Sequence, residues 1–169
     1  MEQVILVNES DEEIGVMEKL QAHREAKLHR AISVFVFNNE GQFLLQKRAK
    51  EKYHSASLWT NTCCSHPKPG EKTDDAAKRR LMEEMGIECD LQHQFSFIYR
   101  AELENGLTEY ELDHVFFGIV NDKPNINPVE VSDWKYIDLK KVEEDLTKNP
   151  EKYTIWFKII FERVVQLRK

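Results

Sequence analysis

An α+β domain, with mixed sheets sandwiched between helices, is the fold class that this sequence predicts. Two observations carry it. Strand-like and helix-like runs are interleaved along the chain, and a hairpin signal stands upstream of a well-delimited amphipathic helix. With 169 residues and 41% apolar content, the chain is expected to form one domain, residues 1–169, because a single core spans ~100–200 residues. No repeat, low-complexity tract or Pro/Gly-rich linker divides it.

Val4–Val7 reads as a short strand, Ser10–Gly15 as a turn and Met17–Glu25 as a short helix. Ile32–Phe37 and Gln42–Gln46 are β-rich runs around Asn38-Asn39-Glu40-Gly41, a hairpin connection. Glu51–Lys72 has little periodicity and many polar residues, which marks a functional loop. Thr73 is the expected N-cap of a helix to about Met85, with Asp74 and Asp75 in the first turn and Gly86 as its stop. Ala77, Leu81 and Met85 give that helix a buried stripe. Phe95–Glu102 and Leu107–Val120 read as long strands joined at Glu104-Asn105-Gly106, and Trp134–Ile137 as a further strand. Helices over Asp138–Leu146 and Thr154–Leu167 complete the pattern, the last with Ile155, Ile159 and Val164 on its apolar face.

Composition narrows the function. A formal net charge of -6 argues against a general nucleic-acid binder, yet a local basic cluster can still hold a small anion. No run approaches the ~18–20 apolar residues of a membrane span, and the first residues lack the basic start and apolar stretch of a signal peptide. Cys63, Cys64 and Cys89 make a poor disulfide framework. The expected protein is a cytoplasmic monomer.

Three constellations carry chemistry. On the helix after Thr73, Arg79–Glu83 and Arg80–Glu84 are i,i+4 pairs that by themselves describe a solvated, salt-bridged face. Set between Pro69-Gly70-Glu71 and Gly86-Ile87, with Arg79, Leu81, Glu83 and Glu84 at their spacings, they resemble the Nudix box. That resemblance implies a Nudix-like α/β/α sandwich whose loop–helix–loop holds a divalent cation against a diphosphate. Two positions depart from the pattern: Ser65 replaces its first glycine, and Arg80 replaces a glutamate of the hydrolases' metal cluster. An arginine there adds a bidentate grip for phosphate oxygens.

The second constellation is Trp59-Thr60-Asn61-Thr62-Cys63-Cys64-Ser65-His66-Pro67, a cysteine beside a histidine in a polar loop. With Ala22-His23-Arg24-Glu25 and Leu28-His29-Arg30-Ala31, it is similar to the type I isopentenyl-diphosphate isomerases over Lys19 to Trp156. The third is Thr108-Glu109-Tyr110-Glu111-Leu112-Asp113. Strand alternation puts Glu109, Glu111 and Asp113 on one face about 7 Å apart, where they repel unless water or a cation intervenes. A gap of six does not align His23 and His29 on one helix; they converge only if the helix ends between them and His29 opens the next strand.

The resemblance implies roles. His23, His29, His66, Glu109 and Glu111 would hold one divalent ion, and three imidazoles with two carboxylates suit Mn2+ or Zn2+. Lys19, Arg48, Lys52 and Arg80 would grip a diphosphate, with Mg2+ bridging it to Glu84. Cys64 and Glu111 would exchange protons with an alkene, Tyr99 would assist the glutamate, and the Trp156 face would stabilise a carbocation. Cys63 is assigned to structure, and Asp113, without a role, to solvent. The implied substrate is isopentenyl diphosphate. A Nudix hydrolase of a diphosphate derivative and a non-catalytic diphosphate binder are the competing expectations.

Overall fold

The computed structural model describes residues 1–168; Lys169 lies outside the described residues. The strands are β1 (Gln3–Val7), β2 (Glu13–Glu18), β3 (His29–Phe37), β4 (Phe43–Arg48), β5 (Trp59–Thr60), β6 (Cys63–Ser65), β7 (Leu91–Glu102), β8 (Thr108–Ile119) and β9 (Val131–Ile137). The α-helices are α1 (Lys19–Arg24), α2 (Thr73–Met85), α3 (Leu139–Lys148) and α4 (Ile155–Arg168). The expected mixed sheet with flanking helices is present.

β3 organises the sheet. β8 runs parallel to it over its whole length, from His29↔Glu111 to Phe37↔Ile119. The other partners meet β3 at successive points: β1 at His29, β6 at Ile32–Val34 and β4 at Phe37. β7 then pairs with β8 and β9 with β4. Alternate β3 residues face opposite layers. Ile32, Val34 and Val36 pack on Ala76, Ala77, Leu81 and Met85 of α2. Phe35 and Phe37 pack with Phe43 on Phe157, Phe161 and Val164 of α4. The sheet is therefore covered on both faces, as the sandwich requires.

Several local expectations change. The segment read as a turn and helix contains β2, because Glu13–Glu18 pairs with β1. α1 is correspondingly short, and the Glu18 carboxylate caps it by accepting from the backbone of Leu20 (3.0 Å) and Gln21 (2.8 Å). Lys72, not Thr73, occupies the cap position of α2, without a side-chain hydrogen bond. Gly86 does end α2, at φ 63, and a Cβ there would lie 2.5 Å from the Asn125 carbonyl oxygen. β5 and β6 lie inside the expected Glu51–Lys72 loop. On α4 the buried face is Trp156, Phe157, Ile160, Phe161 and Val164, whereas Ile159 is 46% exposed. The aromatic residues set the helix phase, one position away from the expected isoleucine stripe.

Candidate active site

The registers around β3 build the site. His29 stands opposite Glu111, Ser33 opposite Cys64, and on β7 Tyr99 stands opposite Glu111. Since alternate strand residues share a face, His29, Ser33, Cys64, Tyr99, Glu109, Glu111 and Asp113 gather on one side of the sheet. β6 runs antiparallel to β3, so His66, just beyond it, returns toward His29. α1 ends at Arg24 and His29 opens β3, the arrangement needed for His23 and His29 to meet. Their ring centroids are 5.0 Å apart.

The imidazoles are oriented from behind. His23 Nδ1 lies 2.7 Å from the Lys19 carbonyl and His29 Nδ1 2.8 Å from that of Lys27. With Nδ1–H donating, each ring can offer its Nε2 lone pair to a cation, and the backbone carbonyl behind it fixes the direction of that nitrogen. His29 Nε2 is 3.3 Å from His66 Nε2, which is 2.9 Å from Glu111 Oε1. His23 Nε2, 4.0 Å from that oxygen, is buried without a hydrogen-bond partner among the described residues. Burial lowers His23 to about pH 4, and the neutral imidazole is the ligand form. Ligand atoms of His23, His29, His66 and Glu111 all lie within 4.8 Å of one another. This donor set, with an orphaned nitrogen at its centre, fits a divalent cation.

The carboxylates differ in state. The Tyr99 hydroxyl stands 2.8 Å from both Glu109 Oε2 and Glu111 Oε2 and donates to one at a time. Burial and the adjacent Glu111 charge push the Glu109 carboxyl well up. Burial opposes ionisation of Glu111 too, but contacts from His29 and His66 hold it well below the ordinary carboxylate range. Asp113 is not solvated as expected. It is 2% exposed, accepts from Ser33 Oγ at 2.6 Å, and is pushed well up by burial and Glu111.

These groups open onto a cavity of about 290 Å³. Cys64, Tyr99, Glu109, Glu111 and Trp156 line it together with Lys19, Arg48, Lys52, Arg80 and Glu84. His23 and His29 lie beneath it, fully buried. Burial pushes the Cys64 thiol up to about 12, so it carries its proton at neutral pH. Cys63 faces the opposite layer with α2. The Arg48 guanidinium sits 5.2 Å from the Trp156 ring centre. Arg80 binds Glu83 (2.7 Å) and Glu84 (2.6 Å), while Lys19 pairs with Glu2 and Lys52 with Glu130. Glu84 was expected on an exposed face; it is 5% exposed and accepts from Gln46 Nε2 at 2.8 Å. Arg79 clamps Glu71 through two hydrogen bonds (2.7 and 2.9 Å), which fastens the loop before α2 to the helix.

Comparison with known proteins decides the family. A NUDIX domain model matches residues 27–157. Isopentenyl-diphosphate Delta-isomerase 1 of Aromatoleum aromaticum is 54% identical, over 99% of this chain and 95% of that one. The isopentenyl-diphosphate Delta-isomerase of Pectobacterium atrosepticum is 52% identical, over 96% and 90%. The chain belongs to the isopentenyl-diphosphate Delta-isomerases of the NUDIX family.

Solved structures agree in fold. DR0079 of Deinococcus radiodurans superposes with a TM-score of 0.81 at 20% identity, over 96% of this chain and 98% of that one. The MutT protein of Methanosarcina mazei gives 0.67 at 21% identity, over 84% and 96%. The residues expected from sequence meet at one cavity, which His66 helps to line, with His23 and His29 buried beside it. The residue that sequence reasoning missed is His54. It is 4% exposed, with Nε2 3.7 Å from Glu109 Oε1, and burial lowers it to about pH 3. Only its place in the polar Glu51–Lys72 loop hinted at a role.

Proposed function

We propose that the chain interconverts isopentenyl diphosphate and dimethylallyl diphosphate, moving the double bond by one carbon. The observation that carries this is a thiol, Cys64, and a carboxylate, Glu111, opening onto one cavity; burial pushes the thiol up, and contacts from His29 and His66 push the carboxyl down. An unactivated alkene is a feeble base, so its protonation needs a positioned acid in a dry pocket. The Cys64 thiol gives its proton to the terminal carbon, leaving a tertiary carbocation. Glu111 takes a proton from the neighbouring methylene, and that electron pair closes the new double bond. In reverse the roles exchange. Tyr99 holds Glu111 by its hydroxyl, and the Trp156 face stabilises the cation by ~2 kcal/mol.

His23, His29, His66, Glu109 and Glu111 would hold a Mn2+ or Zn2+ ion, and Glu84 a Mg2+ ion that accompanies the diphosphate. Bound, such ions supply positive charge that keeps carboxylates ionised and offsets phosphate oxygens. Lys19, Arg48, Lys52 and Arg80 face the diphosphate. The cavity lining is charge-balanced, with Lys19, Arg48, Lys52, Lys68, Arg79 and Arg80 against Glu2, Glu83, Glu84, Glu109, Glu111 and Glu130. By that formal count, an accompanying cation would offset the charge that a diphosphate adds. Glu111 would serve both ion and proton, and the bound charge would then tune its basicity.

The same reading makes the protein one domain, 1–169, acting as a cytoplasmic monomer on a small molecule, without nucleic acid or membrane. Among the described residues no helix is long and apolar enough to cross a membrane. The test is turnover of isopentenyl diphosphate with Mg2+ and Mn2+ in deuterated water. An allylic product carrying deuterium in its carbon skeleton, without phosphate release, is expected, and Cys64→Ala should abolish the label. Phosphate release without label would point to a hydrolase, and an unchanged substrate to a binder.

A further inference from the structure

We propose that His54 is a ligand of the same divalent ion, entering its coordination sphere beside Glu109. The inference rests on the metal-centre reading above and adds a residue to it. The candidate ligand atoms form two groups that share His23: one with His29, His66 and Glu111, the other with His54 and Glu109. Within each group the atoms lie within 4.8 Å of one another. Glu109 thus joins the cluster in company with His54, as Glu111 does with His66.

The separation of His54 Nε2 from Glu109 Oε1 is 3.7 Å, too long for a hydrogen bond. Two donors each ~2.0–2.2 Å from one ion lie roughly 3–4.4 Å apart, so it does suit shared ligation. The ring is oriented as the other ligands are, with Nδ1 turned away to Ser55 Oγ at 3.2 Å. Its backbone is fixed as well. Arg48 donates to the carbonyls of His54 (3.1 Å) and Ser55 (3.2 Å), and the Ser55 N–H donates to the Glu104 carboxylate. Ser55 itself adopts φ 50, so the turn aims His54 inward. Tyr53 and Trp156 pack edge-on against the ring at 4.5 and 5.7 Å. With His54, the residues around His23 would offer one ion four imidazoles and two carboxylates, drawn from two groups that share His23.

The test is metal binding to the metal-free full chain, read by calorimetry with Mn2+ and by visible absorption with Co2+. Wild type should bind one such ion tightly. His54→Ala should bind it at least ~10-fold more weakly, the scale seen when a metal site loses a supporting group. Its cobalt spectrum should shift to the red, because water is a weaker-field donor than imidazole. An independent readout needs no substitution: in 15N-histidine-labelled wild type, Zn2+ should shift four Nε2 resonances. Three shifted resonances, or unchanged affinity and spectrum in His54→Ala while His66→Ala binds weakly, would overturn the His54 assignment alone. A wild-type chain that takes up no ion would overturn the metal centre with it.

Discussion

β3 and β8 run side by side through two regions of opposite character. At one end Phe35, Phe37 and Val115 join Phe43, Tyr153 and Phe157 in an aromatic core beneath α4. Phe43 and Phe157 stack there with centroids 6.0 Å apart and 9° between planes. At the other end, on the same face, His29, Ser33, Glu109, Glu111 and Asp113 are just as buried. Burial therefore does not distinguish the functional end; polar satisfaction does. The Tyr153 hydroxyl has its partner in Asp145 at 2.6 Å, whereas His23 Nε2 has none among the described residues. Glu109 and Asp113 are driven toward neutrality by burial and by the Glu111 charge. One end supplies stability, and the other holds a conflict that a cation would relieve.

Substitutions on the two sides should separate stability from turnover. Glu111→Gln is expected to lower kcat by ~10²–10⁴, the range for general acid–base catalysis. Its urea-unfolding free energy in metal-free protein should fall, because the contacts with His29 and His66 that favour the charge are lost. The fall should be smaller than for removal of a buried aromatic side chain, because the repulsion with Glu109 and Asp113 is relieved at the same time. A large loss of stability would erase the contrast. Phe43→Ala should do the reverse. Removing a fully buried aromatic side chain costs ~3–5 kcal/mol, while the fraction that remains folded isomerises near the wild-type rate. A collapse of kcat per folded molecule would show that the aromatic end also shapes the site.

The two regions also differ in how far the sequence announced them. Period-two spacing put Glu109 and Glu111 on one face, and Cys64, His66 and the Nudix-like helix stood in motifs with fixed spacing. Gly86 marked the end of α2 because only a residue tolerant of positive φ fits there. Asp113 misled, since alternation cannot tell a solvated face from one covered by other elements; its burial comes from the sheet's tertiary setting. Ile159 misled because a one-residue phase error turns a helix by ~100°, and the alternative stripe was aromatic. β2 is polar enough to read as a turn and exists through its pairing with β1. His54 was out of reach because its aim depends on Arg48 and Glu104, contacts that no local pattern encodes.

The smallest expected effect tests whether the aromatic end is as self-sufficient as it looks. Hydrogen bonds from Tyr153 (2.6 Å) and Asn149 (2.7 Å) hold the Asp145 carboxyl below its ordinary value. A carboxyl lowered in the folded state adds stability that is complete above its unfolded value, near pH 4. That contribution is lost as pH falls through the folded value. Tyr153→Phe keeps the ring, whose centroid lies 5.6 Å from that of Phe157, and removes only the donor. The loss at pH 7 should be about 1 kcal/mol, and the gap to wild type in urea unfolding should narrow on going to pH 3. A gap equal at both pH values would mean that the phenol acts through packing rather than through the carboxylate charge. The isomerisation rate of this variant should match wild type, because the Tyr153–Asp145 pair lies on the α3 side of the aromatic core, away from the cavity.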